Sequence, residues 1–229
     1  MKTIGLIGGI SWLSSAEYYR LMNEMVNERM GAVNSAKIIL YSVNYEEIKH
    51  LTFAGDWQGI AKMISGIAQN IENAGADCIL LGANTMHRIA SEVQQAISVP
   101  LIHIAAATGK AIEKLRLTKV ALLGTKYTME HGFYQQQLEK YNITAILPDE
   151  ADRQYIHDAI YNEMGKNIFL SSTKEKMLTI IDKLIKDGAE GVILGCTEIP
   201  ILIKQTDCSI PVFDTTFIHA SAAVEYALG

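Results

Sequence analysis

The sequence predicts an α/β protein made of two similar halves, and three observations carry that prediction. Short apolar runs rich in β-branched residues alternate with longer amphipathic stretches along the whole chain. The stretch Gly75-Ala76-Asp77-Cys78-Ile79-Leu80-Leu81-Gly82-Ala83-Asn84-Thr85 aligns without a gap on Gly188-Ala189-Glu190-Gly191-Val192-Ile193-Leu194-Gly195-Cys196-Thr197-Glu198. At 229 residues and 49% hydrophobic, the chain has enough apolar side chains for a full core without disulfides or a structural metal. Strands separated by helices of this length pair in parallel through right-handed crossovers.

Taken in order, Thr3–Ile7 reads as a strand ending at Gly8-Gly9. Ser14 or Ser15 is expected to cap the helix that follows through Tyr18, Leu21, Met22, Met25 and Val26. Lys37–Val43 is a second strand, Asp56–Ala74 a long helix closed by Gly75, and Cys78–Leu81 a third strand. A helix from Met86 to Ala96 leads to a short strand, Leu101–Ile104, opened by Pro100, and a further helix runs to Leu115. The second half then repeats the theme. Strand Lys119–Leu123, helix Tyr127–Lys140, strand Thr144–Leu147 and helices Asp149–Met164 and Thr173–Asp187 come first. Strands Gly191–Leu194 and Pro211–Phe213 and a closing helix to Ala227 complete the chain.

The repeat extends beyond the aligned stretch. Val99-Pro100-Leu101-Ile102 answers Ile210-Pro211-Val212-Phe213, and Lys2–Gly9 loosely echoes Lys119–Thr125. Two parallel-sheet domains related by a pseudo-two-fold axis are therefore expected. The first is 1–103, with the C-terminal helix 214–229 packed back on it, and the second is 104–213. Ligands of open α/β sheets bind at the carboxyl ends of strands, so the site is expected in a cleft between the halves.

A net charge of −5 with no Lys/Arg cluster argues against nucleic-acid binding. Three cysteines, Cys78, Cys196 and Cys208, have no CxxC spacing, which fits a reducing, cytoplasmic compartment and carries no zinc signature. No stretch approaches the roughly 20 apolar residues of a membrane span, and the first residues lack the length of a signal peptide. Gly5-Leu6-Ile7-Gly8-Gly9 departs from the dinucleotide-binding spacing, and no acidic residue closes the second strand.

Cys196 ends a buried strand and stands beside a hydroxyl, Thr197, and a carboxylate, Glu198. A thiol is suited to moving a carbon-bound proton, and strand-end amides are expected to lower its pKa. Asn84, Thr85, Thr125, Thr128 and Thr197 are neutral hydrogen-bonding groups at the turns where a substrate carboxylate and an enolate-like transition state need support. Glu198 is expected to orient Thr197 or cap the next helix, and it completes the candidate binding set. His87 reads as a helix-terminal histidine bonded to backbone or as a proton shuttle, and Trp12 as a lid on the first turn.

Gly8-Gly9-Ile10-Ser11-Trp12, Asn84-Thr85-Met86-His87, Leu123–Met129, Gly195-Cys196-Thr197-Glu198 and Val212-Phe213-Asp214-Thr215 together resemble the aspartate/glutamate racemase family over nearly the whole chain. The resemblance implies racemisation of a small-molecule amino acid without a cofactor, by two opposed acid/base residues, in a two-domain α/β homodimer. It assigns Cys196 as one of those residues and gives Asn84, Thr85 and Thr197 the α-carboxylate and amino group. Residues near Ile10 and Ser11 and around Thr52 would line the rest of the pocket.

The family's first cysteine falls on Ala83, whose methyl group cannot transfer a proton. Three readings stay open. One thiol works with Thr85, His87 or water on the other face; or the alanine is an introduced replacement; or the chain does single-base isomerisation or decarboxylation. A non-catalytic amino-acid-binding protein is the rival from another class. Dicarboxylate-specific relatives are expected to carry an arginine after the second strand, where this chain has Asn44-Tyr45-Glu46-Glu47. Lys49, His50, Arg153 and Lys166 are the candidate partners for a side-chain carboxylate and none lies in a matching motif, which weakens aspartate or glutamate as the substrate and leaves a broader or neutral amino acid open.

Overall fold

A computed structural model describes all residues, 1–229. In chain order the elements are β1 (Ile4–Gly8), α1 (Trp12–Met30), β2 (Ile38–Ser42), α2 (Tyr45–Phe53), α3 (Trp57–Asn73) and β3 (Cys78–Leu81). A 3-10 turn, Asn84–Ile89, leads into α4 (Ala90–Ala96), followed by α5 (Ile104–Lys114), β4 (Lys119–Gly124), α6 (Lys126–Glu130) and α7 (Phe133–Glu139). The remainder is β5 (Thr144–Ile146), α8 (Glu150–Asn162), α9 (Ser171–Lys186), β6 (Val192–Gly195), α10 (Ile199–Leu202), β7 (Val212–Asp214) and α11 (Thr215–Leu228).

Two compact units result: Met1–Ile104 with His219–Gly229, and Ala105–Ile218. The first holds a parallel sheet in the order β2-β1-β3, the second one in the order β5-β4-β6-β7. The α/β class is as predicted. In the first unit the period-two alternation of β3 sends Cys78 and Leu80 to a core shared with Tyr18 and Met22 of α1 and Ala220 and Val224 of α11. Ile79 and Leu81 go to the opposite core, with Ile60, Ile64 and Ile71 of α3. In the second unit Ala121, Leu123, Val192 and Leu194 pack on Ile156 and Ile160 of α8 and Ile180 and Leu184 of α9.

The sequence repeat is also a repeat of backbone geometry. Gly75 and Gly188 both sit at φ +99°, a left-handed conformation that ends α3 and α9. Two residues later an acid ties down the start of the neighbouring strand. Asp77 takes the Thr3 amide on Oδ2 at 2.6 Å, and Glu190 takes the Thr118 and Lys119 amides on Oε2 at 2.7 and 3.0 Å. The backbone reciprocates, since the Asp77 and Glu190 amides donate to the Thr3 and Lys119 carbonyls.

Several expectations are corrected. Neither Ser14 nor Ser15 caps α1. The helix begins at Trp12 behind two left-handed residues, Gly9 and Ser11, and both serines are buried inside it. The Ser15 hydroxyl instead accepts the Gly9 amide at 2.7 Å. Helix α2 was not foreseen; it is capped by Asn44, whose side chain accepts the Glu46 amide at 3.2 Å, and it buries only Ile48 and Thr52. The predicted strand Leu101–Ile104 contracts to a single bridge, Leu101 with Ile79, because α5 starts at Ile104. The predicted helix Tyr127–Lys140 breaks into α6 and α7 at Gly132, which takes φ +77°. The stretch after Asn84 enters as a 3-10 turn before becoming α-helical at Ala90. No helix is long and apolar enough to cross a membrane.

The two left-handed glycines have nothing within 4 Å of a built Cβ, so replacement there costs backbone energy alone. Gly75→Ala and Gly188→Ala should each lower unfolding free energy by about 1–2 kcal/mol, and the matching Asn variants by less. Urea denaturation at neutral pH reads both.

Candidate active site

Each central strand delivers its last residues to a neighbour's end. In the second unit Gly124 and Gly195 are register partners of β4 and β6, and a Cβ on Gly195 would lie 2.8 Å from the Leu123 carbonyl oxygen. Only glycine allows that approach, and it brings Thr125 and Thr128 beside Cys196-Thr197-Glu198. Thr125 is the N-cap of α6; its hydroxyl takes the Thr128 amide at 3.3 Å and lies 3.2 Å from the Thr128 hydroxyl. Thr215, the first residue of α11, donates to the Leu194 carbonyl at 2.9 Å and ties that helix start to the same strand end.

Cys196 is partly buried, and its thiol donates to Glu198 Oε2 at 2.8 Å. The Thr197 hydroxyl donates to the same oxygen at 2.9 Å. Glu198 is 5% exposed and makes no side-chain bond to the start of α10. It therefore orients Thr197, as one reading had it, and does not cap the helix. The thiol pKa is also corrected. Burial, then the charge and hydrogen bond of Glu198, hold it well above the usual thiol value. The Glu198 and Thr197 amides act in the expected, lowering direction but are outweighed. Cys196 rests as a neutral thiol.

The first unit presents the equivalent turn with different chemistry. Gly82 donates its amide to the Ile7 carbonyl at 2.8 Å, which sets Ala83-Asn84-Thr85 beside the turn Gly8–Ser11. Ala83 is extended and receives the Met86 amide on its carbonyl. Asn84 is buried and Thr85 partly so. Ile10 faces the core beside Ile7, and Ser11 is held at φ +68° against Gly9. Trp12, the first residue of α1, is 70% exposed. Thr52 spends its hydroxyl on the Ile48 carbonyl within α2 at 2.7 Å. Cys78 is wholly buried, with its thiol raised to about 11 by desolvation, and belongs to the core.

The cations weighed for a side-chain carboxylate are already engaged or exposed. Lys49 and His50 both approach Glu46, at 3.2 and 3.4 Å. Arg153 pairs with Glu130 at 2.8 Å and donates to the Pro148 carbonyl at 2.7 Å. Lys166 is exposed in a 3-10 turn, Met164–Lys166. No group of three or more His, Cys, Asp or Glu side chains is arranged to hold a metal ion.

Sequence reasoning missed a histidine cluster behind the Ala83 turn, because its members lie far apart in the chain. His87 donates Nε2–H to the Leu81 carbonyl at 3.3 Å, and its ring centroid lies 4.5 Å from that of His103 and 5.3 Å from that of His219. His219 donates Nε2–H to the Ile102 carbonyl at 2.6 Å and accepts the Tyr18 hydroxyl on Nδ1 at 2.8 Å. Burial keeps both buried rings neutral, pushing His219 down to about 4 and His87 well below its ordinary value.

The second unit gathers a thiol, a carboxylate and hydroxyls at the carboxyl ends of its parallel strands, the place where ligands of α/β sheets bind. The model of the Asp/Glu/hydantoin racemase family matches residues 7–223, and the chain belongs to that family. Among curated proteins, the broad specificity amino-acid racemase RacX of Bacillus subtilis (strain 168) is 25% identical over 234 residues, covering 96% of each chain. Among solved structures, a Yersinia pestis protein provisionally assigned as an Asp/Glu racemase is 46% identical with a TM-score of 0.95, covering 100% of both chains. An aspartate racemase homologue from Pyrococcus horikoshii OT3 is 35% identical with a TM-score of 0.88, again over 100% of both.

The histidine cluster makes a directional prediction. His219 has a folded pKa below its unfolded one, so it stabilises the fold above about pH 6.5, and that stability drains away as pH falls toward 4. The loss amounts to about 3 kcal/mol for this group alone. Urea midpoints should therefore drop between neutral and mildly acid pH, and drop less in His219→Gln, which has no proton to take up.

Proposed function

We propose that this chain is a cofactor-independent amino-acid racemase of broad side-chain tolerance, in which Cys196 abstracts and returns the α-proton. The observation that carries the reading is the Cys196 thiol at the end of β6, hydrogen-bonded at 2.8 Å to a buried carboxylate. In this reading Asn84, Thr85 and Thr197 hold the α-carboxylate and amino group, and Thr125 and Thr128 are further substrate contacts. Ile10, Ser11 and Thr52 complete the proposed binding set. Asp/Glu racemase kinship supports an isomerase, and the name of the Bacillus subtilis relative supports wide substrate choice. Engagement of Lys49 by Glu46 and of Arg153 by Glu130 further favours amino acids without a side-chain carboxylate. The working form in this proposal is a cytoplasmic homodimer.

Ala83 favours a second reading on its own account. The turn equivalent to Cys196 in the first unit ends in a methyl group, so the chain either draws its second proton from another donor or binds amino acids without turning them over.

Solvent deuterium incorporation at the α-carbon of a panel of L- and D-amino acids separates these readings. The racemase reading expects exchange with inversion, at least about 100-fold slower in Cys196→Ala. Ala83→Cys should raise the inverted fraction. Exchange that survives Cys196→Ala, or its absence with every amino acid tried, would overturn the assignment.

A further inference from the structure

We propose that His157 is a positioning residue that holds the turn from Thr125 to Thr128 in place and makes that grip sensitive to acid. This rests on the reading of Thr125 and Thr128 as substrate contacts. The Lys126 amide lies inside the turn, at the first position of α6, and a helix leaves its first amides without an internal acceptor. The Thr125 hydroxyl takes the Thr128 amide, and the Thr125 carbonyl takes that of Met129. The Lys126 amide donates instead to Nδ1 of His157, 31 residues away on α8, at 3.2 Å. A neutral ring that accepts on Nδ1 carries its proton on Nε2.

The grip has a second point. Arg153, one turn earlier on α8, donates to Glu130 at 2.8 Å, so α8 holds α6 at both of its ends. The His157 ring lies between two aromatic rings. Its centroid is 4.7 Å from that of Tyr161, one turn on along α8, and 5.9 Å from that of Tyr127 on α6. The first unit ties the turn after its own central strand differently. There the Gly9 amide goes to the Ser15 hydroxyl at 2.7 Å, from the helix that follows directly. A serine hydroxyl keeps its proton across the working range of proteins, whereas an imidazole titrates within it. The two halves share the tie and differ in its chemistry.

Protonation undoes the bond. A proton added at Nδ1 removes the acceptor and sets one N–H against another, at a helix end where positive charge is already disfavoured. The charged groups facing the ring are Lys126 and Glu130 of α6 and Asp158 of α8, and Arg153 is paired with Glu130. Burial, ahead of all of these, holds the ring below its ordinary value of 6.5. Lys126 acts in the same direction, and Asp158 and Glu130 oppose it. The neutral ring and its bond therefore prevail at neutral pH, and the bond is lost as pH falls through the lowered midpoint. Its loss frees the backbone between Thr125 and Thr128, so the hold on substrate weakens before the proton step slows.

The test follows the Lys126 amide of the full chain by proton–nitrogen correlation NMR from neutral to mildly acid pH, alongside the His157 ring protons. The two should titrate together, with a midpoint below 6.5. In His157→Asn, whose side-chain oxygen reaches the place of Nδ1, the Lys126 amide should stay still over the same range. In His157→Phe that amide should exchange with solvent at least about tenfold faster. In steady-state α-deuterium exchange, KM should rise about fivefold or more in His157→Phe, with kcat changed by less than about twofold. Wild-type KM should climb in mildly acid solution, and that climb should be absent in His157→Asn. A Lys126 amide that ignores the His157 titration sinks the proposal, and so does an acid rise in KM that persists undiminished in His157→Asn. Neither outcome depends on His157→Phe folding. Should the wild-type chain exchange no amino acid, the racemase reading falls, while the Lys126 amide alone still decides whether His157 holds the turn.

Discussion

The structure hangs on how each long helix is turned back into a strand. At Gly75 and Gly188 the chain adopts a left-handed conformation that an L side chain resists, and the acid two residues on locks the neighbouring strand in register. That register is not negotiable. A slip of one residue would send Ile79 and Leu81, or Val192 and Leu194, to the wrong face of their sheets. It would also carry Ala83 and Cys196 away from the strand ends. The same turn that closes a helix therefore determines, eight residues later, where the chemistry stands.

At that point the two units part company. Gly82 follows β3 and Gly195 ends β6, each where the adjacent backbone approaches closely, yet one chain segment continues into Ala-Asn-Thr and the other into Cys-Thr-Glu. The second of these turns is electrostatically unusual. A thiol and a carboxylate share a poorly solvated spot, and the cost of burying a second negative charge keeps the proton on sulfur. The Thr197 and Glu198 amides pull the thiol pKa down, and here they are outweighed.

Behind the alanine turn, Tyr18 and three imidazoles from separate elements form a polar cluster in which His219 ties α11 to the Ile102 carbonyl. Each buried ring gains one backbone acceptor and loses its proton affinity to desolvation. The cluster adds specificity to the packing of α11 on the first unit, at the expense of tolerance to acid.

The sequence by itself determined the α/β class, the gapless repeat and the positions of β3, α3 and Cys196, because periodicity, a glycine stop and a local apolar run are all short-range signals. The family motifs were equally legible, being contiguous. It misjudged elements that depend on context. Helix α2 has too few buried positions to show a period, and the strand after Pro100 yields to α5 after a single bridge. Only the tertiary structure decided the protonation of Cys196 and the meeting of His87, His103 and His219. Those properties depend on burial and on the distance between charges, which residue order alone does not encode.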